Sequence, residues 1–390
     1  MRKLLVLACI CIVGFSACVY SGSELAYYVT LPDKNPPGLR QTVRASVYID
    51  TSRPIEEVRD ILRSVARYSI LPHRNTTGQP VAFFDYVILS GGFMKWGEVS
   101  AYMEVSPELM RILAEDNELL RPLRAQGTKV LLGVTGGNDG VAFGSPMGEG
   151  RIKNRVTFVQ IAFARRVVDF CKFYNFEGVE FWDKDGEGQG RNPYPHVGTD
   201  FYNGERIFRI NDEFESALHW EIGGSNMIDV FSHVLELFGA AASEQGDLDH
   251  TQKIRTPILV RETLFGRNIP TMVPRYEFAS SISCITYLIN NSSTEFGYGN
   301  SGIANPDMSF VPDRSYGPVI LDLAALQDAA LQEFAVKLGR ARDSSGEHTV
   351  VGESEYGLLY FTNLRAHSAA QLEKLSIVSR EVYGADVRYE

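Results

Sequence analysis

From about residue 40 the apolar positions of this chain fall into two alternating rhythms. "TVRASVYID" (42–50) carries a strand pattern, and "PIEEVRDILRSVARY" (54–68) has apolar positions at helical spacing. "FFDYVILSGG" (83–92) predicts a buried strand ended by two glycines, and "KVLLGVTGG" (129–137) another. Between them, "SPELMRILAEDNELLRPLRAQG" (106–127) predicts one helix, with Ser106 as N-cap, Glu108 in the first turn and Gly127 as stop. "RVTFVQIAFARRVVDFCKFYN" (155–175) predicts a helix and "EGVEFW" (177–182) the next strand. Further strands are expected at 271–278, 281–289 and 356–364, with helices at 323–339 and 368–384.

Continuous apolar strands alternating with helices imply a parallel sheet covered on both faces. The segments supply seven strands, and an eighth if the middle of the chain contributes one. A single-domain α/β fold, the (β/α)8 TIM barrel, is the economical reading, with a doubly wound open sheet as the alternative. No GxGxxG or P-loop fingerprint favours the open sheet. Residues 188–265 read as an elaborated connection after the fourth strand, helical at 212–220 and 226–240, on the side where a barrel carries its site.

The first residues change the picture of where the chain works. "MRKLLVLACICIVGFSAC" has a charged start at Arg2 and Lys3, an apolar centre from Leu4 to Val13, and small residues Ser16 and Ala17 before Cys18. The apolar run is too short for a stable membrane span. A cysteine in that place resembles a bacterial lipobox, which implies a signal peptide at 1–17, a lipidated Cys18 and a tether over 18–40. The other reading is an ordinary cleaved leader with an incidental cysteine. The barrel domain then occupies 41–390, exported and attached to the cell envelope by lipid alone. Cys171 and Cys284 remain in apolar stretches and are expected to be buried free thiols, with no metal-ligand spacing.

The net charge of −10 argues against a nucleic-acid partner, which calls for clustered lysine and arginine. The 18 tyrosines and 22 phenylalanines are ample for lining a sugar cleft, and equally ample for a core.

Candidate chemistry gathers in "NFEGVEFWDKDGEG" (175–188), where Glu177, Glu180, Asp183, Asp185 and Glu187 surround Lys184. At the carboxyl end of a barrel strand, carboxylates two apart would line one cleft and shift each other's pKa, as acid–base catalysis requires. The same residues also read as a solvated acidic loop, and "DKDGEG" has some look of a calcium loop.

The order of several segments resembles the glycoside hydrolase family 18 endo-β-N-acetylglucosaminidases, which cut within the chitobiose core of N-glycans. The carriers are "FFDYVILSGG", "LLRPLRAQGTKVLLGVTGGNDGVAF" (119–143), "VVDFCKFYNFEGVEFWDKD" (167–185), "FGYGNSGI", "RSYGPVILDL" (314–323), "YGLLYFTNLR" (356–365) and "LSIVSREVYGADVRY" (375–389). The resemblance implies substrate-assisted hydrolysis without a cofactor: a glutamic acid protonates the glycosidic oxygen, and an aspartate two residues earlier orients the substrate acetamide. The family pattern Asp-Gly-x-Asp-x-Asp-x-Glu, laid without gaps, falls on Glu177 to Lys184. Trp182 then stands in the place of the acetamide-orienting aspartate and Lys184 in that of the proton donor. Lysine, with an ordinary pKa of about 10.4, is a poor acid at neutral pH, and the indole accepts no hydrogen bond from an acetamide N–H.

A one-residue bulge after Phe181 would bring Asp183 and Asp185 into the two catalytic places. The resemblance also implies that Tyr276, in "PRYEF" after the sixth strand, touches the acetamide and that Tyr298, in "FGYGN", stacks on a sugar. It places Asn138 and Asp139 in a loop beside the site. Glu180, Trp182 and Lys184 would then be binding residues, with Lys184 donating to sugar oxygens. Two functions stand: recognition of N-acetylglucosamine-containing glycans on a barrel with lost or impaired hydrolysis, or an active endoglycosidase using Asp183 and Asp185. A third is a barrel without a sugar site.

Overall fold

The first strand, β1 (Thr42–Ile49), turns the apolar rhythm into two faces. Val43, Ala45, Val47 and Ile49 are at most 3% exposed and join the main apolar core, while Ser46 and Tyr48 take the alternate positions. The structure, a computed structural model, describes residue 34 and residues 42–72, 78–96, 101–136, 153–183, 258–265, 284–290, 303–304, 317–324, 328–329, 331–332 and 356–390.

The strands that follow are β2 (Tyr68–Ile70), β3 (Val81–Ala82), β4 (Tyr86–Trp96), β5 (Ala101–Val105), β6 (Lys129–Gly136) and β7 (Gly178–Asp183). Then come β8 (Ile258–Phe265), β9 (Cys284–Asn290), β10 (Ile303–Ala304), β11 (Gly317–Asp322), β12 (Tyr356–Thr362) and β13 (Val387–Tyr389). Eight of them form one parallel array in the order β11-β12-β1-β4-β6-β7-β8-β9, with β10 and β5 pairing antiparallel on β11 and β4. Among the described residues no ladder joins β9 to β11, yet Cα atoms of these two end strands come within 8 Å of each other.

Curling of the array is visible in its side chains. Tyr360 of β12 donates a hydrogen bond to Glu180 of β7, although β1, β4 and β6 lie between them in the sheet. In a flat sheet these strands would stand roughly 19 Å apart, at ~4.8 Å per step. The bond therefore crosses the lumen of a (β/α)8 barrel. Its outer wall is the helical layer, where Val58, Ile61, Leu62, Phe163, Val167, Cys171, Leu375 and Val378 pack on the outward strand residues.

Several expectations shift in detail. The helix expected over 106–127 is three pieces, Pro107–Ala114, Asp116–Leu119 and Arg121–Ala125. Pro122 lacks the N–H that a continuous helix needs and crowds the carbonyl four residues earlier, which accounts for the second break. The predicted cap and stop hold: Ser106 Oγ accepts from Leu109 N at 3.1 Å, and Gly127 turns out at φ 89°. Gly91 and Gly92 do not end their strand. They form a bulge between Leu89 and Gly92, and β4 runs on to Trp96. Gly91 has φ 122°, and a Cβ there would stand 2.7 Å from Ser106 Oγ and 2.8 Å from Leu109 Cβ.

The fifth parallel strand, β8, occupies the last eight residues of the segment read as an elaborated connection. β11 was not foreseen as a strand. The strand expected at 271–278, most of the helix expected at 323–339 and the helices at 212–220 and 226–240 lie outside the described residues. The last helix, Ala369–Tyr383, starts at the Ser368 cap and ends at left-handed Gly384.

Candidate functional site

The strand β7 separates the acidic cluster into residues with different surroundings. Val179 and Phe181 are fully buried in the apolar core. Glu180 and Trp182, alternate to them, face the lumen, where Glu180 Oε1 accepts from Tyr360 Oη at 2.5 Å. The Trp182 ring meets Tyr48 of β1 edge-on, with centroids 6.2 Å apart. Trp182 is half-buried and Glu180 is 0% exposed, so the glutamate forms floor and the indole stands above it towards the mouth.

Glu177 does not belong to this group. It precedes β7 and lies at the amino-terminal end of the barrel, not at the mouth where the sequence reading set it. Its Oε2 accepts from Val130 N at 2.8 Å, its own N–H donates to Val130 O at 2.9 Å, and Arg124 Nε stands 3.8 Å from Oε1. Burial pushes this carboxyl up to about 7, against the opposing pull of Arg124. Its work is to stitch β7 to the start of β6, a stabilising role typical of that end of a barrel.

The bulge that would rescue a catalytic pair is not found in the strand. β7 keeps unbroken register on both sides, with Phe181, Trp182 and Asp183 opposite Val134, Thr135 and Gly136 of β6 and opposite Val260, Arg261 and Glu262 of β8. Trp182 therefore takes the lumen position that the gapless alignment gave it. Asp183 is the last residue of the strand. Lys184, Asp185, Glu187, Asn138, Asp139, Tyr276, Tyr298 and Cys18 lie outside the described residues. Along the chain Tyr276 stands between β8 and β9.

The mouth gains residues that the sequence reading passed over. Phe93 of β4 pairs in register with Thr135, which pairs with Trp182, so the three share one side of the sheet. Beyond them the β4–β5 hairpin sets Lys95 opposite Tyr102 and Phe93 opposite Glu104 on that same side. Tyr102 and Glu104 are exposed. A second group ties the mouth ends of β1 and β4 together. Thr51 N donates to Ser90 Oγ at 2.8 Å, Thr51 Oγ1 donates to Ser90 O at 2.9 Å, and Ser90 Oγ donates to Asp50 Oδ1 at 3.3 Å.

Tyr48 and Tyr360 sit at alternate, lumen-side positions of strands otherwise rich in apolar residues. That period of two was the signal available for them in the sequence. The arrangement offers aromatic faces above a hydrogen-bonded carboxylate floor, which suits the flat apolar faces and hydroxyl rims of sugars. Cys171 is a buried free thiol, as expected, and burial raises its pKa.

No protein-family model matches the chain. Among solved structures it is similar to Bacteroides thetaiotamicron EndoBT-3987 with Man5GlcNAc product, at 12% identity and a TM-score of 0.45, covering 92% of this chain and 64% of that one. It is also similar to a GH18 chitinase from Pseudoalteromonas aurantia, at 9% identity and a TM-score of 0.46, covering 87% and 100% of the two chains. A GH18 chitinase from Cycas revoluta in complex with (GlcNAc)3 follows at 10% identity and a TM-score of 0.37, covering 63% of this chain and 54% of that one. The chain is thus similar to glycoside hydrolase family 18 structures, and that likeness is one of fold alone.

Proposed function

We propose that this protein recognises N-acetylglucosamine-containing glycans, of the N-glycan chitobiose-core type, in the mouth of its barrel, with hydrolysis lost or impaired. In this reading it is a lipoprotein of the bacterial envelope, exported and anchored through Cys18. The observation that carries the recognition reading is Trp182 on the lumen side of an unbroken strand, against Tyr48. In that place the sequence resemblance calls for an aspartate that orients the substrate acetamide, and an indole cannot do that work. It can instead stack on a pyranose face, while Lys184, next but one along the chain, has three hydrogen bonds to donate.

The test sets release of N-glycans from a glycoprotein beside binding of the same free glycans to the purified protein. Binding without release is expected. Release that disappears in Asp185→Asn would overturn the loss of hydrolysis in favour of the active endoglycosidase. Neither release nor binding would overturn both glycan readings.

A further inference from the structure

Lys34 stands well before β1 in the chain and yet is 0% exposed. Its Nζ lies 2.7 Å from Asp85 Oδ2 and donates to Phe83 O at 2.6 Å. The ammonium also stands over two rings, 5.9 Å from the Phe83 centroid and 5.2 Å from that of Tyr383. Every one of these partners marks the amino-terminal end of the barrel. Phe83 and Asp85 lead into Tyr86, the first residue of β4, and Tyr383 Oη donates to Val43 O near the start of β1. An ammonium buried there is held by its ion pair and carbonyl, because withdrawing solvent without them would be costly. Asp85 keeps other partners, accepting from Ala45 N at 2.8 Å and lying 3.3 Å from Arg44 Nη1.

We propose that Lys34 is a pin that shortens the lipid tether and holds the amino-terminal end of the barrel towards the bilayer, so that the mouth opens away from it. The proposal rests on the lipidation of Cys18 put forward above. Cys18 is about 16 residues from Lys34, a reach of at most roughly 55 Å, and about 24 residues from Thr42, a reach of roughly 80 Å. A domain of about 350 residues has a radius of gyration near 20 Å and a diameter near 50 Å. With the pin in place, turning the mouth to the membrane would stretch the tether almost to its limit. Without it, the chain has slack for any orientation. A lipid surface therefore faces the end of the barrel that carries Lys34, and glycans approach from the medium.

The experiment uses the full lipidated chain in phospholipid vesicles with acceptor dyes on the headgroups. A donor dye is placed at Ala125→Cys, exposed just before β6 begins, or at Ser52→Cys, exposed just after β1 ends. The chain without added cysteine sets the background. Energy transfer is expected to be several-fold higher from Ala125→Cys, and Lys34→Met is expected to shrink the difference. Where Lys34→Met disturbs folding, about 20 Gly/Ser residues inserted after Glu24 test the same point with the barrel untouched, and the difference should again shrink. Equal transfer from the two sites, or a difference unmoved by both changes, would overturn the proposal. Failure of the lipidation reading shows separately, as Cys18→Ala chains that bind vesicles as well as the unaltered protein.

Discussion

Two residues of the acidic run behave differently: Trp182 lies within β7, and Glu177, five positions earlier, lies just before it. Trp182 is half-buried and faces the lumen against Tyr48. Trp182→Ala is expected to weaken binding of an N-acetylglucosamine oligosaccharide by about tenfold, near 1.4 kcal/mol, with little change in the melting temperature. Isothermal titration beside a thermal melt checks both, and unchanged affinity would remove Trp182 from the site. Glu177, in the same acidic run, predicts a pH effect on stability instead. Its carboxyl ordinarily titrates near 4.5 and is raised to about 7 in the folded chain. Between those values the folded state keeps a proton that the unfolded state has lost, so this residue makes stability fall as pH rises through the window. The slope it contributes is at most about 1.4 kcal/mol per pH unit. Glu177→Gln should flatten the decline between pH 4.5 and 7 in urea unfolding, and identical slopes would contradict the assignment.

At the scale of the element, the bulge in β4 shapes the mouth. The extra residue lets the strand turn over and continue into the β4–β5 hairpin, which raises Lys95 and Tyr102 about 7 Å beyond the level of Thr135. Gly91 permits this twice over, through its φ of 122° and through the missing Cβ. Gly91→Ala is expected to destabilise the barrel by more than about 1 kcal/mol, because both the backbone and the Ser106 cap must shift. Chemical unfolding of the variant measures this, and a neutral result would mean that the helix Pro107–Ala114 moves away freely.

The sequence announced these glycines only as a strand end, since Gly-Gly reads as a stop wherever pairing beyond it is unknown. Likewise Pro122 was present in the sequence within a long helical pattern, whose apolar spacing survived the break. β11 was missed because "GPVILD" is short and begins at glycine and proline.

Across the whole molecule, the Tyr360–Glu180 bond joins residues 180 positions apart and spans the lumen. Tyr360→Phe removes one donor from a carboxylate that is 0% exposed. The expected cost is about 1–3 kcal/mol in global stability, larger than for a hydroxyl lost at the surface. Equilibrium unfolding checks it, and a change below about 0.5 kcal/mol would show that the floor has other support.

What the sequence determined by itself is whatever depends on neighbours a few residues away. The strand and helix periods, the Ser106 cap and the burial of Cys171 all belong there. Tertiary structure alone decided which carboxylate faces the lumen, that Glu180 meets Tyr360, that Tyr48 meets Trp182, and that Lys34 reaches Asp85. These contacts depend on the register between strands and on how far the sheet curls. A one-residue offset such as the Leu89–Gly92 bulge reassigns every side chain beyond it, and no local pattern in the sequence records that offset.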